Sequence, residues 1–295
     1  MTPVDENRGL LMNVAYRLLG SVSEAEDAAQ EAFARWYAMP EADRAAIDSP
    51  TGWLVTVTTR ICLDVLGSAR ARRERYVGEW LPEPVPAEAR WTSQATASVA
   101  TDPADRVSLD ESLSMALLVV LESMTPAERV AFVLHDVFGY TFAEVGEIVG
   151  RSPQACRQLA SAARRRIRDA RRTRISAQEH ARVVAAFATA LETGDLTSLV
   201  ELLDPDATAV ADGGGLAAAA VEPIVGAAAI AQYLLDLWSR GVSFQLTTVN
   251  GRAGLVSRDH AGHPVAVASL AVADGRIERI WVTRNPEKLA GWPQP

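Results

Sequence analysis

The sequence predicts a multidomain fold in which two all-α units precede a C-terminal α+β unit. Three observations support this division. Apolar residues recur at helical spacing over 1–78 and again over 108–174. The segment between them, 79–107, contains four prolines and a stretch with little apolar periodicity, which is typical of a linker. Strand patterns separated by turn residues dominate 176–295.

Composition excludes several classes of protein. Hydrophobic residues make up 48% of the chain, enough for buried cores, but no apolar run reaches the roughly 18 residues of a membrane span. The segment MTPVDENRGL lacks the basic and apolar regions of a secretory signal. Cys62 and Cys156 are the only cysteines, and no histidine stands at metal-ligand spacing with either. We therefore expect a reduced, cytoplasmic protein without bound metal or cofactor.

Charge is strongly segregated along the chain. The net charge is −8, yet residues 151–174 carry nine Arg and one Asp, and residues 67–75 carry four Arg and one Glu. A polyanion would be repelled by the protein as a whole. Contact with nucleic-acid phosphates would therefore have to come from these two short basic segments.

The first helical unit contains three predicted helices. One has an apolar stripe from Leu10 to Leu19 and ends at Gly20. A second opens at Ser23, where SEAE has the form of a capping box, and runs to about Ala38. Residues 39–48 read as a polar loop. A third helix starts at Ser49-Pro50 and runs toward a basic patch bounded by Gly67 and Gly78.

The second helical unit ends in a predicted helix-turn-helix. Capping boxes at Thr125 and Thr141 open its middle helices, after an apolar stripe over 109–124. The turn GRS, 150–152, leads into a helix that Ser152 caps. Its apolar stripe is predicted to be Ala155, Leu159, Ala163, Ile167 and Ala170, opposite Arg157, Ser161, Arg164, Arg165 and Arg168. The pattern indicates DNA binding; a solvated basic helix is the alternative.

The last unit begins with helices at 179–193 and 196–203 and a strand at 207–211. The turn DGGG, 212–215, and a helix at 226–240 follow. Strands are predicted over 243–251, 263–272 and 276–284, with Asp274-Gly275 as a hairpin turn. Helices followed by a curved antiparallel sheet predict an α+β cone. In the linker, WLPEP (80–84) places apolar side chains where solvated residues are expected, which indicates that it docks on a surface.

Residues 8–172 resemble the extracytoplasmic-function (ECF) sigma factors of bacterial RNA polymerase. GSVSEAEDAAQEAFARWY is similar to the family's polymerase-clamp helix, and PTGWLVTVTTRICLDVLGSARARRER is similar to its −10 element helix in sigma region 2. The segment from Leu109 to Ala170 resembles the −35 element domain, sigma region 4. WLPEP, DGGG and NPEKL (285–289) indicate the subgroup with a fused SnoaL/NTF2-like domain. Leu216 stands where that subgroup usually has Lys, and Glu287 where it usually has Asp.

The resemblance implies a set of site residues. Core RNA polymerase would contact Glu24, Asp27, Gln30 and Glu31. The −10 element would meet Trp53, Arg60, Asp64, Arg70, Arg72 and Arg73, with the loop 39–48 receiving a flipped base. In the −35 element, Gln154, Arg157 and Gln158 would read bases, since Gln suits adenine and Arg suits guanine. Ser161 would join that surface, and Arg164, Arg165 and Arg168 would hold phosphates.

The C-terminal domain is expected to regulate the sigma factor in cis. The contact elements would be Trp80, Leu81, Pro82, Glu83, Pro84, Asp212, Gly213, Gly214, Gly215, Asn285, Pro286, Lys288 and Leu289. The candidates for acid–base catalysis are Asp212, Tyr233, His260 and His263, and we expect no enzyme activity because a tight turn and surface histidines explain most of them.

Two alternatives remain open. The cone could bind a small ligand or retain catalysis, or the chain could be a stand-alone DNA-binding repressor. Two basic segments and an acidic helix argue against the repressor.

Overall fold

A computed structural model describes residues 3–73, 76–89, 91, 109–170, 175–220 and 222–295. The chain divides into two compact units. The helical unit comprises Met1–Glu74, Ala89–Leu113 and Leu117–Ala170, and the cone unit comprises Arg75–Glu88, Ser114–Ala116 and Arg171–Pro295. The sequence places the boundaries differently, at 78, 107 and 176. The first linker residues therefore group with the cone, and the two predicted helical units group together.

The regular secondary structure in the described part of the helical unit is helical. The helices are α1 (Pro3–Leu19), α2 (Val22–Ala38), α3 (Glu41–Ala45), α4 (Pro50–Arg73), α5 (Leu109–Ser112), α6 (Met115–Glu122), α7 (Pro126–Phe132), α8 (Phe142–Val149) and α9 (Pro153–Ala170). A π-helical turn, Val133–Val137, extends α7. The capping boxes predicted at Thr125 and Thr141 are both present.

Two predicted boundaries in the first helical segment are wrong. The hydroxyl of Ser21, not Ser23, caps α2 by accepting from the Glu24 amide at 3.4 Å. The expected loop 39–48 contains the short helix α3. Helix α4 continues through Gly67 into the basic patch, as expected; that position is exposed and unrestrained, so glycine there costs only about 1 kcal/mol relative to alanine.

The apolar stripe over 109–124 forms two helices, α5 and α6, instead of one. The buried Ser112 closes α5, and its hydroxyl accepts a hydrogen bond from Nε of Arg17 at 2.7 Å. Serine side chains that bond elsewhere compete with continued helix. The break between α5 and α6 therefore coincides with a tertiary contact from α1, and the apolar periodicity of the sequence does not predict it.

Buried polar side chains join the two predicted helical segments within the helical unit. Arg17 bonds to Asn13 Oδ1 at 2.5 Å as well as to Ser112. Arg129 on α7 donates to the carbonyl oxygen of Leu18, at the end of α1, at 2.7 Å. Since the carbonyl end of a helix carries partial negative charge, a cation there is favourable. These bonds explain why the two segments form one compact unit.

The cone unit is an α+β fold. Its helices are α10 (Ala177–Thr193), α11 (Leu196–Leu202) and α12 (Ala227–Ser239). Its strands are β1 (Leu203–Asp212), β2 (Ile224–Val225), β3 (Ser243–Val249), β4 (Arg252–Arg258), β5 (Pro264–Ala273) and β6 (Arg276–Thr283). They form one sheet in the order β2-β1-β6-β5-β4-β3, in which β1 and β6 are parallel and the other neighbours antiparallel.

The sheet contains two strands that the sequence analysis missed, the two-residue β2 and the longer β4. Strand β4 is buried over Gly254–Ser257 on both faces, so it lacks the alternation that marks a half-buried strand. The predicted hairpin turn at Asp274-Gly275 is present, with φ of 49° and 77°. Asn250-Gly251 makes the equivalent turn between β3 and β4, with φ of 52° and 73°. Asp212 is the last residue of β1, immediately before the glycine turn.

Among the described residues, no helix is long and apolar enough to cross a membrane.

Candidate nucleic-acid interface and linker clamp

The predicted helix-turn-helix is formed by α8 and α9. Gly150 ends α8 in the left-handed conformation, with φ of 70°, and the Ser152 hydroxyl caps α9 by accepting from the Ala155 amide at 3.2 Å. Gly146 lets the turn approach closely, because a Cβ there would lie 2.6 Å from the Arg151 carbonyl oxygen. The local sequence thus builds the turn at the predicted place.

The buried stripe of α9 differs from the predicted stripe. Cys156, Ala160, Ala163 and Ile167 are buried, whereas Ala170 is exposed and Ala155 and Leu159 are half-buried. The stripe is rotated by about one residue because packing on α7 and α8, not apolarity alone, sets the buried face. Cys156 is buried, and this burial raises the pKa of its thiol.

The opposite face of α9 is available for contact, with one exception. Gln154, Arg157, Gln158, Ser161, Arg165 and Arg168 are exposed. The guanidinium of Arg157 lies 5.3 Å from the ring centre of Phe142. Arg164 is half-buried, and its Nε lies 2.5 Å from Oδ1 of the buried Asp136. In this conformation Arg164 forms an internal ion pair.

The predicted −10 residues lie along α4. Trp53 is half-buried and packs on Trp36, with ring centres 5.3 Å apart. Asp64 is exposed. The exposed Arg60 donates to the carbonyl oxygens of Glu147, at 2.9 Å, and Ile148, at 3.4 Å. Those carbonyls end α8, so Arg60 is held by the first helix of the helix-turn-helix. The side chains of Arg70, Arg72 and Arg73 lie outside the described residues.

The acidic face of α2 points away from its packed face. The helix buries Ala25, Ala28, Ala29, Ala32 and Trp36. Asp27, Gln30 and Glu31 are exposed, and Glu24 is half-buried. Glu31 also pairs with Arg35, one turn along the helix, at 2.8 Å. The four residues predicted to contact polymerase therefore share the outer side of the helix.

The carboxylate of Asp212 is the centre of a buried cluster that we call the linker clamp, formed by Asp212, Lys288, Tyr76 and Asn285. Asp212 is fully buried at the end of β1. Its Oδ2 lies 2.7 Å from Nζ of Lys288 and accepts from the Leu81 amide at 3.0 Å. Its Oδ1 accepts from the Tyr76 hydroxyl at 2.7 Å.

Further contacts complete the clamp. Asn285 Nδ2 donates to the Tyr76 hydroxyl at 2.9 Å. Lys288 Nζ also donates to the Leu81 carbonyl oxygen and lies 4.3 Å from the ring centre of Trp80. Burial and the carboxylate of Asp212 raise the pKa of the Tyr76 phenol, so Tyr76 donates as a neutral hydroxyl. The cluster pairs one anion with one cation and holds the linker to the cone.

The predicted linker motif is largely buried in the cone unit. Leu81, Pro82 and Pro84 are buried, whereas Trp80 and Glu83 are half-buried. Of the predicted tail residues, Asn285, Lys288 and Leu289 are buried and Pro286 is exposed. The expected docking of the apolar motif thus takes place within the cone unit.

Sequence reasoning missed three residues that also hold the linker. Tyr76 contributes the phenol of the clamp. Asn250 Oδ1 accepts from the Val85 amide at 3.1 Å, and the Val85 carbonyl oxygen accepts from the Asn250 amide at 2.8 Å. Trp292 Nε1 donates to the Pro84 carbonyl oxygen at 3.0 Å. The Asn-Gly pair and a tryptophan close to the C-terminus were the available signals.

The glycine motif allows a close approach to the linker. Gly214 and Gly215 have φ of 60° and 72°. A Cβ on Gly214 would lie 2.4 Å from Asn285 Nδ2 and 2.9 Å from the Tyr76 hydroxyl oxygen, and one on Gly213 would lie 2.3 Å from the Ala217 carbonyl oxygen. Leu216, in place of the usual Lys, is 60% exposed. The glycines therefore leave the space that the clamp occupies.

We expect Gly214→Ala to destabilise the cone unit by about 1–3 kcal/mol more than Gly275→Ala, because of overpacking. Both glycines have positive φ, so both substitutions carry the same backbone strain, about 1–2 kcal/mol. No atom lies within 4 Å of a Cβ on Gly275, which makes it the matched control. Hydrogen exchange of β1 and β6 amides measures the difference. Equal losses of stability in the two variants would show that the close approach at Gly214 does not contribute to the stability of the cone unit.

Comparison with known proteins identifies the class that this fold and these sites define. Residues 4–73 match the Sigma-70 region 2 family, and residues 114–167 match the Sigma-70, region 4 family. The two matches cover the acidic helix with the −10 helix and the helix-turn-helix, respectively. The protein is a sigma factor, and its function is transcription initiation with RNA polymerase.

The chain belongs to the ECF RNA polymerase sigma factors. It is 41% identical to the ECF RNA polymerase sigma factor SigJ of Mycobacterium tuberculosis H37Rv, over 96% of this chain and 91% of SigJ. It is 36% identical to the probable ECF sigma factor SigI of the same organism, over 96% and 92% of the two chains. The crystal structure of M. tuberculosis SigJ superposes with a TM-score of 0.74 at 37% identity, covering 98% of this chain and 97% of SigJ.

These findings confirm the predicted fold class and the sigma-factor function. They favour the sigma factor over the stand-alone repressor. The roles of the individual site residues stay predictions.

Proposed function

We propose that the cone unit restrains this sigma factor in cis by holding the linker in the clamp. The observation that carries the proposal is the burial of Asp212 between Lys288, Tyr76 and the Leu81 amide. The linker residues that the clamp holds, 76–86, belong to the 40 residues between the region 2 and region 4 matches. While the clamp holds these residues, about 35 Å of extended chain, at ~3.3 Å per residue, is not available to span the distance between region 2 and region 4.

A contact inside the helical unit indicates that initiation needs a long linker. Arg60 on the −10 helix touches Glu147 of the helix-turn-helix. By their names, the −10 and −35 elements lie about 25 base pairs apart, or roughly 85 Å at ~3.4 Å per base pair. Two surfaces in direct contact cannot occupy both elements at once. Engagement of both elements therefore requires the helical unit to open, and a clamped linker opposes that opening.

We propose that α9 reads the −35 element through Gln154, Arg157 and Gln158, with Ser161, Arg165 and Arg168 placed beside them. Their exposure on one face supports this role. Arg164 could hold a phosphate only after leaving Asp136. For the −10 element, Arg60 would have to leave α8, while Asp64 is already exposed. The surface for core polymerase, which acts in the cytoplasm, is formed by Glu24, Asp27, Gln30 and Glu31.

We propose that the cone unit is not an enzyme. The four candidate acid–base residues do not converge. Asp212 is held in the clamp, and His260 and His263 are exposed on the β4–β5 loop, where His263 pairs with Asp259. Only Tyr233 among the four lines the cavity that lies between α12 and the sheet of the cone unit. Acid–base chemistry needs positioned groups around one substrate, and these four residues lie in separate places.

We expect Arg157→Ala to weaken promoter binding by about 1–3 kcal/mol and to relax sequence preference in the −35 element. When a guanidinium that pairs with guanine is removed, the protein no longer discriminates between bases at that position. Binding to randomised −35 sequences at fixed salt measures both effects. Arg166→Ala is the control, since Arg166 lies on the same helix near Glu128, outside the predicted contacts. Equal weakening on every sequence would assign Arg157 to phosphate contact.

Run-off transcription with core polymerase tests the regulatory proposal. The promoter is selected by the full chain from a randomised library, and the full chain is compared with a chain ending at Arg174. We expect the shorter chain to initiate more often at the same promoter. A change in promoter sequence preference would instead make the cone part of DNA readout. Equal initiation by both chains would refute regulation in cis.

A further inference from the structure

The cone unit contains a cavity between α12 and the sheet. About 70 Å³ of it is open to the centre of a water-sized sphere, several times the roughly 10–15 Å³ that a single water needs. Phe187, Leu191, Leu234, Phe244, Leu255 and Ile280 are among its lining residues. The cavity is therefore mostly apolar, and it has room for several water-sized groups in a row, such as a slender apolar chain.

Three polar side chains line this cavity: Tyr233, Ser257 and Arg284. All the other lining residues are apolar. Arg284 is the charged member, and it is half-buried. One of its guanidinium nitrogens donates to the Ala218 carbonyl oxygen, which leaves other donors of the group for a ligand. A guanidinium in an apolar setting matches a carboxylate best, because the two planar groups can form paired hydrogen bonds.

The walls of the cavity continue directly into the linker clamp. Ala211 on β1 and Val282 on β6 both line the cavity and are neighbours in the parallel pairing. The next residue of β1 is Asp212. The backbone amides of Arg284 and Asn285 both donate to the Asp212 carbonyl oxygen, at 2.7 and 3.0 Å. A shift of Arg284 toward a ligand therefore acts on the backbone that positions the clamp.

We propose that this cavity binds a small apolar carboxylic acid, with its acid group on Arg284, and that binding loosens the linker clamp. The second half of the proposal rests on the proposed regulation in cis. A carboxylate competes with Ala218 for the guanidinium. Ala218 belongs to the loop that follows the glycine motif, and Gly214 and Gly215 of that motif lie against Tyr76 and Val77 of the linker. When this loop is freed, its contacts with the linker weaken.

Calorimetric titration of the full chain with straight-chain carboxylates, hexanoate to dodecanoate, tests the site. We expect octanoate to bind at least about tenfold more tightly than octan-1-ol, from the charged hydrogen bonds. Arg284→Gln should remove this difference. Ala268→Leu, which fills the cavity, should weaken octanoate binding at least about tenfold. Ala261→Leu is the matched control at an exposed position and should leave binding unchanged.

Hydrogen exchange of residues 76–86 with and without octanoate tests the coupling. We expect exchange to become faster when octanoate is bound. No binding by any carboxylate of the series, or binding that Ala268→Leu leaves unchanged, would overturn the site and leave the clamp proposal standing. Binding without faster exchange would overturn the coupling alone. Failure of regulation in cis would show separately, as unchanged transcription after the clamp itself is broken.

Discussion

Asp212→Asn should release the linker from the cone and raise promoter-specific initiation. The substitution keeps the shape of the side chain but removes the charge that balances Lys288, whose side chain is 10% exposed. Removing one partner of a buried ion pair costs about 3–5 kcal/mol, because the other charge stays buried. We expect faster hydrogen exchange over residues 76–86 and about fivefold or more run-off transcript at limiting core polymerase.

The matched control for Asp212→Asn is Asp206→Asn. Asp206 lies on the same strand, β1, but is exposed, so its replacement should leave both readouts unchanged. The double variant Asp212→Asn with Lys288→Met should hold the linker better than Asp212→Asn alone, because no buried charge is left unpaired. Faster linker exchange without any change in transcription would refute the proposal that the clamp regulates initiation.

Arg129→Met should destabilise the helical unit by about 3–5 kcal/mol, the cost of breaking a buried pair. The Arg129 side chain is 3% exposed, and its Nη1 lies 2.7 Å from Glu122 Oε1 and 2.7 Å from the Leu18 carbonyl oxygen. Burial lowers the pKa of Arg129 to about 10, so the guanidinium is still charged at neutral pH. Hydrogen exchange of α1 and α7 amides measures the loss where it occurs.

Arg166→Met is the control for Arg129→Met. Its side chain is 49% exposed and lies 3.8 Å from Glu128, so we expect a loss of at most about 1 kcal/mol. Adding Glu122→Leu to Arg129→Met should recover part of the stability, since the uncompensated carboxylate is removed. If Arg129→Met and Arg166→Met have equal effects, the buried arginine does not join α1 to α7.

Much of this protein is determined by short-range sequence. The capping boxes at Thr125 and Thr141, the left-handed Gly150 and the Asp274-Gly275 turn all lie where the residues predict them. Each depends on bonds and backbone angles within a few residues, so the local sequence specifies it. The same holds for the acidic face of α2 and the basic face of α9, because helical periodicity sets which residues share a side.

Long-range contacts were decided only by the tertiary structure. Strand β4 is buried on both faces, and Ser112 ends α5 beside Arg17, neither of which periodicity reveals. Arg164 looks like a phosphate contact in sequence, but folding brings Asp136 within 2.5 Å of it. Asp212 and Lys288 are separated by 76 residues, and Tyr76 by 136 from Asp212. The sequence motifs indicated where the clamp lies, but packing determined which side chains meet in it. The reason is that a buried charge is stable only beside a partner that the fold supplies.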